Sequence, residues 1–238
     1  MIKGILFDLD NTLIDFMTIK RSSCQSAVDA MIKAGLDMRK EDAMKMLFEE
    51  YGKHGIEYNY IFQSFLKRVG NKIDYRILAS GITAYRKKQI TMQRPYSEVV
   101  PTLEKLRERG LKTAVLSDAP RLKAWIRLTE LGIQDHFDVV LAFGDFKERK
   151  PSPVPFRLAL KKLGINAQQC LMVGDNPNKD VVGAQKLGIK TCFAKYGYLE
   201  EYMIPLKESE KLKFEQKKTN IEWDFEINKI DELLEIVT

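Results

Sequence analysis

Residues 4–15 read GILFDLDNTLID. A short apolar run drives straight into Asp8 and Asp10, two carboxylates one residue apart, with Thr12 close behind. Such a run predicts a strand buried on both faces, which belongs in a parallel sheet covered by helices. The two aspartates then have two readings. One is an acidic turn. The other is a site that needs both carboxylates at one point.

Working outward, one pattern recurs from residue 97 onward. Helical stretches end in Gly followed by an apolar residue: RERGL, TELGI, KKLGI and QKLGI, with Gly110, Gly132, Gly164 and Gly188. This is the helix end in which glycine turns left-handed and the next residue packs back on the helix. Between these ends lie β-rich runs, KTAVLS, FDVVLAF, QCLMVG and IKTCFA. With the opening run they make five strands alternating with helices, the signature of a parallel sheet with right-handed crossovers. WDFEINKIDELLEIV adds a short strand and a last amphipathic helix.

The stretch from Phe16 to about Arg94 carries no strand pattern and reads as four amphipathic helices. Met44, Leu47, Phe48 and Tyr51 form one apolar stripe, and Ile61, Phe62, Phe65, Leu66 and Val69 another. The expected organisation is an α/β core at 1–15 and 95–238, Rossmann-like and three-layered, with a small all-α cap at 16–94. Pro95 and Pro101 mark the return to the core. The aromatics Tyr58, Tyr60, Phe62 and Phe65 are read as cap core. The charged segment Leu206–Asn220 is read as a surface helix or loop.

Composition narrows the function classes. No apolar run reaches spanning length, and the apolar N-terminal run is broken by Asp8 and Asp10 with no small-residue cleavage site. The sequence therefore predicts a cytoplasmic protein without membrane partners. The cysteines Cys24, Cys170 and Cys192 are scattered, against a disulfide framework or cysteine zinc site, and read as small buried hydrophobes. The net charge is +6, but the signs interleave in KEDAMK and LEKLRERG, which reads as a solvated surface and not a nucleic-acid stripe.

The strand ends carry the chemistry. The first strand ends in Asp8, Asp10 and Thr12; the second in Ser117 and Asp118. The third leads to Asp145, Lys147, Arg149 and Lys150, and the fourth to Asp175, Asn176 and Asp180. In a parallel α/β sheet these ends lie along one edge, where ligands bind. Gathered carboxylates repel unless a cation compensates, and oxygen ligands suit Mg²⁺. Mg²⁺, a lysine and a hydroxyl together suit a phosphate. Asp8 is then placed to act as nucleophile, and Asp10 to protonate the leaving oxygen and later deprotonate water.

These motifs, DLDNT, LSD, KPSPVPF and GDNPNKD in that order, resemble those of the haloacid dehalogenase superfamily of aspartate-nucleophile phosphatases, along essentially the whole chain. The resemblance implies an aspartyl-phosphate mechanism with Mg²⁺ as cofactor. Asp8 would be nucleophile and metal ligand. Asp10 would be acid and base, with its carbonyl on the metal. Ser117 would bond the phosphoryl group, and Lys150 would neutralise charge, with Lys147 and Arg149 as rivals. Asp175 would bind the metal, and Asp180 would bind it directly or through a neighbour. The amides of Leu9 and Asp118 would hold phosphoryl oxygens. Thr12 and Asn176 are further candidates on the substrate side, and Asp15 for facing the cleft.

Asp10 argues against a dehalogenase, since cleaving a carbon–halogen bond needs no protonated leaving group. The expected function is a phosphatase for a small phosphorylated metabolite, such as a triose or sugar phosphate like glyceraldehyde 3-phosphate, acting as monomer or homodimer. A phosphomutase and a non-catalytic binding protein on the same fold are the alternatives.

Overall fold

The computed structural model describes residues 1–70, 72–198 and 221–237. The charged stretch Leu206–Asn220 lies outside the described residues. Two compact units emerge: residues 1–15, 94–198 and 221–237 form one, and 16–93 the other.

Among the described residues, the first unit is built on six parallel strands. In chain order these are β1 (Gly4–Phe7), β2 (Lys112–Pro120), β3 (Val139–Phe143), β4 (Cys170–Gly174), β5 (Lys190–Ala194) and β6 (Phe225–Ile227), lying side by side as β3-β2-β1-β4-β5-β6. The register seats Phe7 between Val115 of β2 and Val173 of β4. Ile5, Leu6 and Phe7 have no solvent exposure at all, so the apolar opening run is the centre of the sheet. Leu6, Ala114, Leu116, Leu141, Cys170 and Met172 pack with Phe156, Ala159 and Leu163 of one helix, Pro153–Leu163. Helices Val99–Glu108 and Arg121–Leu131 also lie against β2. Strand order reverses beside β1, because β2 and β3 are laid on one side of it and β4 to β6 on the other. Ligands bind at such a switch point, outside the carboxyl ends of the strands. Here those ends are Asp8 and Asp175.

The glycine-ended helices form as read. Gly110, Gly132, Gly164 and Gly188 all have φ between 65° and 71°. At Gly132 the turn is complete: its amide bonds back into the helix, and the Ile133 amide reaches Leu128 O at 3.1 Å with the Ile133 side chain fully buried. A Cβ there would be strained, which is why glycine stands at this point. The helix Pro153–Leu163 starts where Ser152 accepts from the Val154 amide, with proline in the first turn.

Among the described residues, the second unit contains four helices, Phe16–Lys33, Lys40–His54, Ile61–Gly70 and Tyr75–Met92. Leu47, Tyr51, Ile61, Phe62, Phe65 and Leu66 are buried in its core, with Met44, Phe48 and Val69 packed against them. Gly81 permits the last helix to approach the first, since a Cβ there would overlap the Met31 side chain. Of the aromatics read as core, Phe62 and Phe65 are buried and Tyr58 packs on the core, but Tyr60 is 61% exposed. It sits just before the helix beginning at Ile61, outside its buried stripe, and touches Tyr58 edge-on.

Candidate active site

Asp8 directly follows β1, its amide bonded to Val173 O at 2.9 Å. The chain then tightens. The Leu13 amide bonds Leu9 O, and Asn11 takes a left-handed φ of 61°, a conformation Asn tolerates better than most residues. Thr12 is fully buried beneath this loop. Its hydroxyl accepts from the Asp175 amide at 3.1 Å and donates to Asp175 Oδ1 at 3.2 Å. The β1 and β4 ends are thus tied together.

After β4 the chain winds through a wide π-type turn, Pro177–Val181, of a kind frequent at functional sites. Asn176 starts it: its side chain accepts from the Lys179 amide, and its own amide donates to Asp180 Oδ2 at 3.1 Å. The turn folds Asp180 back over the end of β4. Only glycine fits at 174, because a Cβ there would overlap the Asp180 carboxylate.

Lys150 meets both acidic ends. Its Nζ lies 2.8 Å from Asp8 Oδ1 and 2.6 Å from Asp180 Oδ1, and its amide donates to Asp118 Oδ1 at 3.1 Å. The side chain is 1% exposed, whereas Lys147 and Arg149 are exposed and Arg149 stacks over Phe143. Burial opposes the Lys150 charge, but Asp180, Asp8 and Asp118 outweigh it and hold the lysine above its ordinary range. Asp8, Asp175 and Asp180 bring carboxylate oxygens within 4.8 Å of one another. Burial, and then Asp8 and Asp180, push Asp175 well up. Burial and Asp8 raise Asp180 to about 6 despite its lysine partner. The ion pair with Lys150 and this upward shift pull in opposite directions; the charged lysine is the firmer of the two, since three carboxylates surround it. With its three carboxyls ionised, the pocket would hold two negative charges in excess over the one ammonium, among hard oxygen donors. That charge balance and donor set fit a small divalent cation.

The other sequence candidates are placed as follows. Ser117 is buried in β2 and its hydroxyl accepts from the Ala119 amide at 3.1 Å, shaping the strand exit; it does not cap the following helix. Asp118 stands beside Lys150 and 3.6 Å from the Lys179 ammonium. Asp10 does not join the carboxylate triad: its Oδ2 pairs with Arg127 Nη1 at 2.9 Å. Asp145 is likewise apart, closing the turn after β3 by accepting from the Ala142 amide and pairing with Arg121. Asp15 stands close enough to Tyr96 to help burial raise that phenol.

Three residues at the site were not singled out in the sequence. Arg127 is one. The others are Tyr196 and Gly197, directly after β5. The Tyr196 hydroxyl donates to Thr12 O at 2.8 Å, and Tyr96 packs edge-on against its ring. A Cβ at Gly197 would land on the Asn11 carbonyl, so this glycine lets the β5 exit close over the Asp8–Thr12 loop.

Comparison with known proteins places this arrangement. The family model for haloacid dehalogenase-like hydrolases matches residues 2–188. The chain belongs to the haloacid dehalogenase-like hydrolase family. Among its relatives within the family is the glyceraldehyde 3-phosphate phosphatase of Methanocaldococcus jannaschii, 34% identical over 100% of this chain and 97% of that protein. A second is the glyceraldehyde 3-phosphate phosphatase of Methanopyrus kandleri, 31% identical over 100% of this chain and 97% of that one. Among solved structures, a phosphatase of the family from Thermococcus onnurineus aligns with a TM-score of 0.67 at 25% identity, covering 99% of this chain and 97% of the other. The chain is a phosphatase of this family, a hydrolase of phosphoric monoesters. Among the described residues no helix is long and apolar enough to cross a membrane.

Proposed function

We propose that the protein dephosphorylates a small phosphorylated metabolite, glyceraldehyde 3-phosphate or a close triose phosphate, with Asp8 as nucleophile. The observation that carries this reading is the triad of partly buried Asp8 with buried Asp175 and Asp180, Lys150 bridging two of its members. Asp8 attacks phosphorus, an acyl phosphate forms, and the ester oxygen leaves with a proton from Asp10. Asp10 then takes a proton from water as that water attacks the same phosphorus and the Asp8 carboxylate departs. Lys150 and the Ser117 hydroxyl face the negative phosphoryl oxygens, with the amides of Leu9 and Asp118 as further donors. Asp8, Asp175 and Asp180 would hold Mg²⁺ together with the Asp10 carbonyl. Bound there, the ion would screen the carboxylates and withdraw charge from the phosphoryl group. Thr12 and Asn176 serve this site by fixing Asp175 and Asp180.

The triose phosphate assignment rests on the names of the two archaeal relatives. The helical unit is the cap in this reading, supported by its insertion directly after the Asp8–Thr12 loop. The protein works in the cytoplasm on a soluble substrate, as monomer or homodimer, without nucleic-acid or membrane partners.

The test is phosphate release from a panel of triose phosphates, sugar phosphates, phosphoglycolate, nucleotides and p-nitrophenyl phosphate, with Mg²⁺ and with a chelator. Mg²⁺-dependent release, fastest from a triose phosphate, is expected. Silence across the panel from folded, Mg²⁺-loaded protein would overturn the reading.

A further inference from the structure

The helix Arg121–Leu131 buries one charged side chain within an otherwise apolar stripe and leaves bulky apolar side chains outside it. Its buried stripe is Ala124, Arg127, Leu128 and Leu131, spaced i, i+3, i+4, i+7. Meanwhile Leu122, Trp125 and Ile126 stand in solvent at 72%, 41% and 45% exposure. A guanidinium occupies a position where an apolar side chain would be the default. A buried arginine is tolerated only when its charge is met. Arg127, with its side chain 7% exposed, meets Asp10: Nη1 lies 2.9 Å from Oδ2. Asp10 sits on the loop after β1, two residues from Asp8, so the helix reaches across the sheet edge to hold one carboxylate of the site.

We propose that Arg127 is a positioning residue for the acid–base chemistry, holding the Asp10 carboxylate in one orientation by its Oδ2. This rests on Asp10 being the acid and base. The Asp10 carboxyl proton passes to the ester oxygen as its bond to phosphorus breaks. The carboxylate recovers a proton from water as the water–phosphorus bond forms and the bond from phosphorus to Asp8 breaks. Without Arg127 the carboxylate of Asp10 is no longer held in that orientation. Misplacing a catalytic group by about an ångström costs up to about 10²-fold in rate.

The predicted signature is dependence on the leaving group, which a purely structural role would not produce. An alkyl phosphate needs its oxygen protonated; p-nitrophenolate leaves without help. In R127M, kcat/KM for an alkyl phosphate should fall by about 10- to 100-fold, and for p-nitrophenyl phosphate by less than about threefold. Water attack on the acyl phosphate should also slow, so R127M should show a burst of p-nitrophenolate absent from the wild type. R127K, which keeps a charge but not the guanidinium geometry, should fall between. R127M added to D10N should cost nothing further, because both act through one group. Equal losses on both ester types, or losses that multiply in the double variant, would overturn the assignment. Should R127M lose its thermal transition, R127K carries the same comparison. D10N separates the role of Arg127 from that of Asp10. If D10N itself shows no leaving-group dependence, the acid role of Asp10 fails and this inference with it. If D10N shows it and the Arg127 variants do not, only the role of Arg127 fails.

Discussion

Thr12 and Asp175 hydrogen-bond each other twice, the threonine hydroxyl accepting from the aspartate amide and donating to its carboxylate. They lie 163 positions apart in the chain, on loops leaving neighbouring strands. One hydroxyl thus fixes the distance between the Asp8 loop and the Asp175 loop, and satisfies a buried amide. T12V keeps the shape and removes both bonds, leaving a buried donor unmet. The expected cost is about 1–3 kcal/mol of stability, read as a lower midpoint in urea at unchanged slope. Weaker Mg²⁺ binding should accompany it, because Asp175 loses its tether, while T12S should restore both. An unchanged midpoint in T12V would show that the pair does not hold the loops.

Lys150 separates attraction from repulsion in the same pocket. Its ammonium is the only cation bonded to both Asp8 and Asp180 among the described residues. K150M leaves those carboxylates facing each other without it. Breaking one side of a buried ion pair costs about 3–5 kcal/mol. The thermal midpoint should fall steeply in chelator and recover in part with Mg²⁺, because a divalent ion replaces some of the lost positive charge. A K150M midpoint equally low with and without Mg²⁺ would contradict placing the ion at this triad.

Much of this was legible in the chain. The opening run predicts a doubly buried strand because none of its positions is polar, and it forms the sheet centre. The glycine endings predict left-handed turns because glycine adopts them most cheaply, and all four carry positive φ. The motif residues at strand ends were legible because a parallel sheet brings its carboxyl edges together. Arg127 was not, since a charge on a helix reads as surface and its partner lies 117 positions away. Tyr196 and Gly197 were hidden for the same reason: what requires them is the backbone of Asn11 and Thr12, and no local pattern encodes that contact. Tyr60 misled because an aromatic beside a buried stripe resembles part of it.

The thiols supply a pH prediction. All three cysteines are buried, and burial pushes Cys24 up to about 11 and Cys170 and Cys192 up to about 12. The unfolded chain deprotonates near the ordinary value of 9.0, before the folded protein does. Stability should therefore fall as pH rises from that value through the folded values, with no thiol contribution below it. At pH 8 a disulfide reagent such as DTNB should label none of the three in native protein and all three in denaturant. Rapid labelling of a native thiol would contradict the buried assignment.

The central claim is that phosphate passes through the Asp8 carboxylate. The most direct measurement quenches the enzyme during turnover of its best substrate with borohydride, which reduces an acyl phosphate to an alcohol, and maps the altered residue by peptide mass. The account predicts homoserine at position 8 in the wild type, and neither turnover nor modification in D8N, which should remain folded. Modification at Asp10 instead, or turnover retained in D8N, would contradict it.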